Sequence, residues 1–377
     1  MNPISLPTHL HFIEPSALSA QLIKTVSGHK TALFITESAV TRLNLLPMIE
    51  AMKKKGDLKW IHQISSNPTY QDITMTLKAL KDSDYTLFIA IGGGSTLDIA
   101  KSAAALLSMN DHVLDDAKVL KAIQNKTYLK QTTRPELIAV PTTAGTGSEL
   151  TRWATVWDFS NTAKYSIETP TLAFDTAYIV IEYTVSMPLR LTLSTGLDAL
   201  TQASEAYWAK STSPAVQTLA LKAIRLIIRN LPLVLRNLES YELRKQMMIG
   251  SLLAAMAFSN TKTTACHSMS YPLTLKFQLD HGLACAMTLS DILRHNLSAL
   301  SNPESVYEAF NINNPEELWA WIDKTSEGIA SMKLSDYGVK AEDIDELVAL
   351  SFTLGRMDNN PIEVTPKHVE NILRLHL

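Results

Sequence analysis

The run YTLFIAIGGGSTLDIAKSAAAL, Tyr85 to Leu106, constrains the fold more than any other stretch of this chain. Tyr85 to Ile91 are apolar apart from Thr86, so neither face of a strand built from them suits water. Such strands belong in the interior of a parallel sheet. Gly92, Gly93 and Gly94 follow at once, and Ser95, Thr96 and Leu97 then open a helical pattern. Glycines at such a junction let the backbone approach a ligand closely, and the free N–H groups of the first helical turn point outward. With the helix dipole they form a site for an anion, normally a phosphate. Taken alone, the glycines also fit a tight strand-to-helix turn with no ligand. A second segment, VPTTAGTGSELT (Val140 to Thr151), again follows a strand and offers the hydroxyls of Thr142, Thr143 and Thr146. Two such loops suit a ligand with several phosphates, bound at the crevice where the strands end.

Strand and helix signals alternate around that junction. KTALFITES (Lys30 to Ser38) is a strand, followed by the helical LLPMIEAMKKKG. LKWIHQI (Leu58 to Ile64) is another, followed by a turn and a helix over NPTYQDITMTLKALKDS; PELIAVPTT (Pro135 to Thr143) is a further strand. This alternation predicts βαβ units and a parallel sheet. Beyond about Pro188 the texture changes. PLRLTLSTGLDALTQASEAYWA, SPAVQTLALKAIRLIIRNLPLVLRNL and YELRKQMMIGSLLAAMAFSNT all carry the helical apolar period. The expected architecture is an α/β dinucleotide-binding domain over residues 1–185 and an all-helical domain over 186–377, closely packed because no flexible linker separates them.

The 377 residues suffice for two such cores. A net charge of -3, with no basic run longer than Lys53 to Lys55, gives no footprint for nucleic acid. The only cysteines, Cys266 and Cys285, exclude a disulfide framework and suit a reducing compartment. Both are read as small buried apolar residues, although Cys285 stands one helical turn after His281. No secretory signal pattern is present and no segment approaches the roughly 18 apolar residues of a membrane span, so a cytoplasmic location is expected.

In the helical half, Asp198 and Gln202 share one helix face, and His267 and His281 follow downstream. A carboxylate with two imidazoles is a ligand set for a divalent ion that keeps positions open for water or substrate. Singly, the acid also fits a helix surface and each histidine a packed core.

GGGSTLDIAKS, PTTAGTGSE, STGLDAL, the His267/His281 pair and the glycine after the second histidine run in order between about Thr31 and Leu377. They resemble the iron-containing (group III) alcohol dehydrogenase family. The resemblance implies a dehydroquinate synthase-like fold, with the active site in the cleft between an α/β dinucleotide-binding domain and a helical domain, and a homodimer or larger homo-oligomer. It implies a pyrophosphate site at Gly92, Gly93, Gly94 and Ser95, with Asp98 on the following helix. Further cofactor contacts fall on Asn67, Thr142, Thr143 and Thr146, and a ribose-contacting lysine on Lys164. A divalent metal, Fe²⁺ or Zn²⁺, falls on Asp198, Gln202, His267 and His281. The chain departs from the family at three points. Gln202 stands where histidine is usual, and an amide oxygen is a weaker ligand than imidazole for such a metal. Tyr271 stands where a further histidine is common, and the first strand lacks the glycine that often follows it.

Within the family, TRWATVWD, KYSI and NTKTTACHSMSYPLT resemble the phosphonoacetaldehyde reductase branch. That implies reduction of this small aldehyde to the alcohol 2-hydroxyethylphosphonate. A dianionic substrate calls for cations, and Arg152, Lys262 and Arg356 are the candidates. The implied chemistry is hydride transfer between nicotinamide and a carbonyl carbon, with the metal acting on the carbonyl oxygen. Tyr271 or a water relay is the candidate proton donor. Glu37, at the end of ALFITES, is placed to accept bonds from the adenosine ribose hydroxyls and to repel a 2′-phosphate, which favours NAD(H) over NADP(H). Two other readings compete. One is a lyase like dehydroquinate synthase, which shares the cofactor and metal plan but needs more basic residues around the metal. The other is a cofactor-binding protein that has lost its metal, and its catalysis, through Gln202.

Overall fold

The computed structural model describes residues 4–81, 84–109 and 114–377. In chain order its strands are β1 (His9–Phe12), β2 (Lys30–Phe34), β3 (Asp57–Ile61), β4 (Leu87–Gly92), β5 (Glu136–Pro141), β6 (Trp153–Asp158), β7 (Ala163–Glu168) and β8 (Thr176–Ile179). Six of them form one parallel sheet in the order β1-β8-β5-β4-β2-β3, while β6 and β7 make a separate antiparallel pair. All of β4 is buried, as its unbroken apolar sequence requires. β1 and β3, at the two edges, show largely exposed or half-buried patterns.

Three of these strands, β2, β4 and β5, fall within the runs named from the sequence, and β3 starts one residue before its run. β1 and β8, only four residues each, and the β6–β7 hairpin match no strand run. The predicted helix after the NPT turn spans Tyr70–Ala79 and starts at a capping box between Thr69 and Asp72. The last two residues of that prediction, Asp82 and Ser83, lie outside the described residues.

From β2 the chain passes outward to the edge strand β3, then returns to lay β4 on the other flank of β2. Strand order therefore reverses between β2 and β4, and ligands of open α/β sheets bind in the crevice at the carboxyl ends of such a pair. Those ends carry Thr36 and the glycines, and the helix Gly94–Leu106 begins immediately.

After β8 the described elements are helical. The helices Leu189–Trp208, Pro214–Arg236 and Tyr241–Thr261 match the three periodic segments. The first of them is buried without interruption from Thr192 to Trp208, including Asp198, Gln202 and Glu205. A helix enclosed on every face keeps such groups only where a partner or a ligand satisfies them. No described helix is long and apolar enough to cross a membrane.

Candidate active site

A cleft of about 760 Å³ opens between the carboxyl ends of the sheet and the helical half. Gly93, Gly94 and Ser95 line it on the sheet side, facing Thr142, Thr143 and Thr146 of the second loop. The two loops touch backbone to side chain: a Cβ on Gly93 would stand 3.2 Å from Thr143, and one on Gly94 2.8 Å from Thr146. Gly92 closes β4 behind them, where a Cβ would strike the Thr96 side chain. Asn67, held at a φ of 54°, donates its N–H to Ser95 Oγ at 3.2 Å and so ties the NPT turn to the glycine loop.

The loops are clamped from behind by the glycine helix itself. Asp98 lines the cleft, yet its carboxylate is occupied by Ser148 Oγ at 2.5 Å and the Thr155 N–H at 2.9 Å. One turn on, the fully buried Lys101 donates to the Ser148 carbonyl at 2.9 Å, to Thr151 Oγ1 at 3.0 Å and to the Trp153 carbonyl. The sequence reading passed over Lys101. Its spacing from Asp98 in a buried helix was the available signal.

Glu149 sits buried behind the same loop. Burial raises its carboxyl from 4.5 to about 7, against the pull of a backbone hydrogen bond and Lys101. The folded state thus holds this proton more tightly than the unfolded chain. The stability it contributes is complete below 4.5 and is lost as pH rises through about 7. Glu149→Gln is expected to be more stable than wild type above pH 7, by at most about 3 kcal/mol, with the difference vanishing in acid. Denaturant melts across that range check it; a gap that does not change with pH would contradict it.

On the helical side, Asp198 projects from the enclosed helix, His267 from the helix Ala265–Phe277, and His281 opens the helix His281–Met287. With Cys285, one turn after His281, they bring one ligand-type atom each to within 4.8 Å of one another. His267 Nε2 stands 3.3 Å from Asp198 Oδ1. Among the described residues, Asp198 Oδ1 and Gln202 Oε1 are buried with no hydrogen-bond partner. Two orphaned oxygens beside converging imidazoles are what a cation satisfies, so this residue set fits a divalent ion.

Two family models match in tandem: iron-containing alcohol dehydrogenase over residues 7–180, and the C-terminal model of the Fe-containing alcohol dehydrogenase family over residues 192–377. The chain belongs to the iron-containing alcohol dehydrogenase family. Long-chain-alcohol dehydrogenase 1 of Geobacillus thermodenitrificans is 33% identical over 72% of this chain and 68% of its own length. The sulfoacetaldehyde reductase of Bilophila wadsworthia is 27% identical over 91% of this chain and 90% of its own. A crystal structure of 1,3-propanediol oxidoreductase superposes with a TM-score of 0.86 at 26% identity, covering 100% of both chains. As a member of the iron-containing alcohol dehydrogenases, the protein is an NAD(P)-linked oxidoreductase acting between alcohols and aldehydes.

The cluster has a supporting residue that the sequence reading missed. Glu205 Oε2 lies 2.5 Å from His267 Nδ1, while Oε1 accepts from Thr264 Oγ1 at 2.8 Å and from the Cys266 N–H at 2.6 Å. Burial works to raise this carboxyl, but His267 and Thr264 hold it below the usual carboxylate range. A charged Glu205 fixes the proton of His267 on Nδ1 and leaves Nε2 free on the Asp198 side. The signal was helical spacing: positions 198, 202 and 205 share one face.

Tyr271 stacks on His281, with ring centroids 5.9 Å apart and planes 10° from parallel. Lys164 Nζ lies 5.0 Å over the Tyr271 ring and donates to Ser166 Oγ at 2.9 Å. Burial pushes the phenol up, but the charges of Lys164, Arg356, His267 and His281 outweigh it and bring it down to about 8. Arg356 also lines the cleft, its guanidinium 5.9 Å from the Trp153 ring.

Besides Gly92, which lies behind the loops, three residues assigned from the sequence to cofactor or substrate are not on the cleft wall. Arg152 and Lys262 line a second cavity of about 360 Å³. Nearness in sequence to the Thr-rich loop and to His267 did not carry them into the cleft; Lys262, at a turn with a φ of 65°, gives its amine to Glu168 at 2.8 Å. Glu37 begins a helix capped by Thr36, and its exposed carboxylate pairs with His62 Nδ1 at 2.7 Å. Thr36 and Arg42, on either side of it, line the cleft instead. Cys285 departs from expectation in the other direction: it is buried, yet its sulfur faces ligand groups.

Proposed function

We propose that this protein reduces phosphonoacetaldehyde to 2-hydroxyethylphosphonate with NADH, in a cleft between domains that divide near residue 185. The observation that carries the substrate is Arg356. It is buried in the cleft wall, and of its guanidinium nitrogens only Nη1 has a hydrogen-bond partner among the described residues, the Gly355 carbonyl at 2.9 Å. The rest of its fork is available to an anionic group, and a phosphonate dianion offers the oxygens for a two-pronged, charge-assisted pair. The similarity to a sulfoacetaldehyde reductase supports an aldehyde bearing an anion.

In this reading Asp198, His267 and His281 hold the divalent ion, with the Gln202 amide oxygen beside them. Bound metal supplies polarisation of the carbonyl oxygen, and bound dihydronicotinamide supplies the hydride. The chain's own residues do the rest. Gly93, Gly94 and Ser95 seat the pyrophosphate, and Thr142, Thr143, Thr146, Asn67 and Lys164 orient the ribose and nicotinamide. Arg356 turns the aldehyde so that its carbonyl meets the cluster, and the Tyr271 hydroxyl gives a proton to the product oxygen. The preference for NADH rests on the Glu37 charge, which stands off the cleft wall beside the cleft-lining Thr36; Arg42, on the wall itself, is the cation that would admit a 2′-phosphate. A cytoplasmic homodimer is inferred from the free thiols of Cys266 and Cys285 and from the family resemblance.

The test is a screen of NADH and NADPH oxidation with phosphonoacetaldehyde, sulfoacetaldehyde and propionaldehyde, on wild type and Arg356→Ala. Phosphonoacetaldehyde with NADH is expected to give the highest kcat/KM. In the variant that value should fall about 10- to 100-fold, mainly through KM, the loss of one charged hydrogen-bonding fork. Propionaldehyde should be affected far less. Equal losses for both aldehydes would remove the assigned role of Arg356, and a preference for NADPH would remove that of Glu37.

A further inference from the structure

We propose that Cys285 is a metal ligand in this protein, completing with Asp198, His267 and His281 a set that Gln202 leaves one strong donor short. The proposal rests on the metal reading above and goes beyond it in naming a sulfur donor. Cys285 Sγ lies 3.8 Å from His281 Nε2 and 3.9 Å from Nδ1, one turn along the same short helix. Donors sharing a tetrahedral ion at bonds of roughly 2.0–2.3 Å stand about 3.3–3.8 Å apart, so this pair is already close to ligand spacing. The four donor atoms converge within 4.8 Å from three helices, and all four residues are at least half-buried.

The chemistry of the neighbours favours sulfur over the amide. Gln202 Oε1 is a neutral oxygen and the weaker donor toward Fe²⁺ or Zn²⁺. A thiolate adds a second negative charge beside Asp198, so two anions face one divalent cation with two neutral imidazoles. Gln202, its Oε1 unpartnered among the described residues and lining the same cleft, is then free to accept from a water or from the hydroxyl of the alcohol. The oxygen of that water or hydroxyl enters as a fifth donor, an expansion zinc tolerates. The other thiol does not compete: Cys266 is fully buried, outside the cluster, and its N–H is bound to Glu205.

The experiment strips the full-length protein with a chelator, loads it with Co²⁺ and records its absorption spectrum and metal content. Wild type and Cys266→Ala are expected to bind one cobalt per chain and show an intense near-ultraviolet thiolate-to-cobalt charge-transfer band. Cys285→Ser and Cys285→Ala should lose that band while keeping the weak visible bands of bound cobalt. If the Cys285 variants fail to fold, Cys266→Ala decides, because Cys266 and Cys285 are the only thiols in the chain and its band can come only from Cys285. Stoichiometric cobalt without the band in wild type overturns Cys285 ligation and leaves the Asp198/His267/His281 site standing. A band that survives in Cys285→Ser also overturns it. No cobalt uptake at all overturns the metal reading itself.

Discussion

His281→Ala is expected to strip the protein of its divalent metal and lower kcat/KM for aldehyde reduction by at least about 10³-fold, since a Lewis acid contributes several kcal/mol at a carbonyl oxygen. His267→Ala should do the same, with a further cost in stability. The difference lies in what each imidazole leaves behind. His281 has loose contacts, its Nδ1 3.3 Å from Ser270 Oγ and close to Cys285, so its removal exposes little unmet demand. His267 is bonded to the Glu205 carboxylate in a fully enclosed helix. Without it a buried charge retains only Thr264 and the Cys266 N–H as donors, and breaking a buried pair from one side costs about 3–5 kcal/mol. Glu205→Gln probes the same link more gently: about 10- to 100-fold weaker metal binding is expected, the usual effect of losing an outer carboxylate. Metal content after dialysis against a chelator, paired with a denaturant melt, separates these outcomes. Full activity of His281→Ala after that dialysis would end the metal mechanism.

What the sequence made legible follows from how each element earns its burial. β4 and β5 are central, so their residues are apolar almost without break and stand out from the flanking helices. β1 and β8 are four residues long; β1, an edge strand, is mostly exposed and leaves no periodic trace. The hairpin β6–β7 is pinned from outside its own sequence, by the Trp157 N–H to the Pro68 carbonyl and by Asp98 on Thr155. Pairing of that kind is a tertiary fact that no local pattern records.

The same distinction divides the candidate site. The glycine and threonine loops were legible because bare, hydroxyl-rich turns after strands stand out from the apolar strands and helices around them, and the structure brings them together on the cleft wall. Asp198, His267 and His281 were legible as residue types. Glu205 was not, because an acid on a helix is read as a surface charge until the helix is seen to be enclosed. Arg152 and Lys262 were misplaced for the complementary reason: closeness along the chain says nothing about the side of a strand or turn on which a long side chain leaves. Of the three cations named for the substrate, Arg356, distant from every motif, is the one that the fold delivers to the cleft.

Gly282→Ala is expected to damage both stability and catalysis, although it touches no reacting atom. The helix His281–Met287 crosses the enclosed helix Leu189–Trp208 at this glycine, which follows His281 directly. A Cβ there would lie 2.7 Å from the Ser194 carbonyl carbon, closer still to its oxygen, and 3.0 Å from Asp198 Cβ. None of these atoms is the free end of a flexible side chain, so the helices must part. Overpacking of this kind costs about 1–3 kcal/mol, and the enclosed position puts this site at the upper end of that range. Parting the helices also draws His281 away from Asp198, which the close crossing holds within ligand distance. A misplacement of about 1 Å at a reacting centre lowers rates by roughly 10²-fold. The two effects are separable: the stability loss appears in a denaturant melt of the metal-free protein, the catalytic loss in kcat at saturating aldehyde with metal in excess. Wild-type stability with wild-type kcat would show that the crossing yields without moving the cluster, and that Gly282 has no part in setting its geometry.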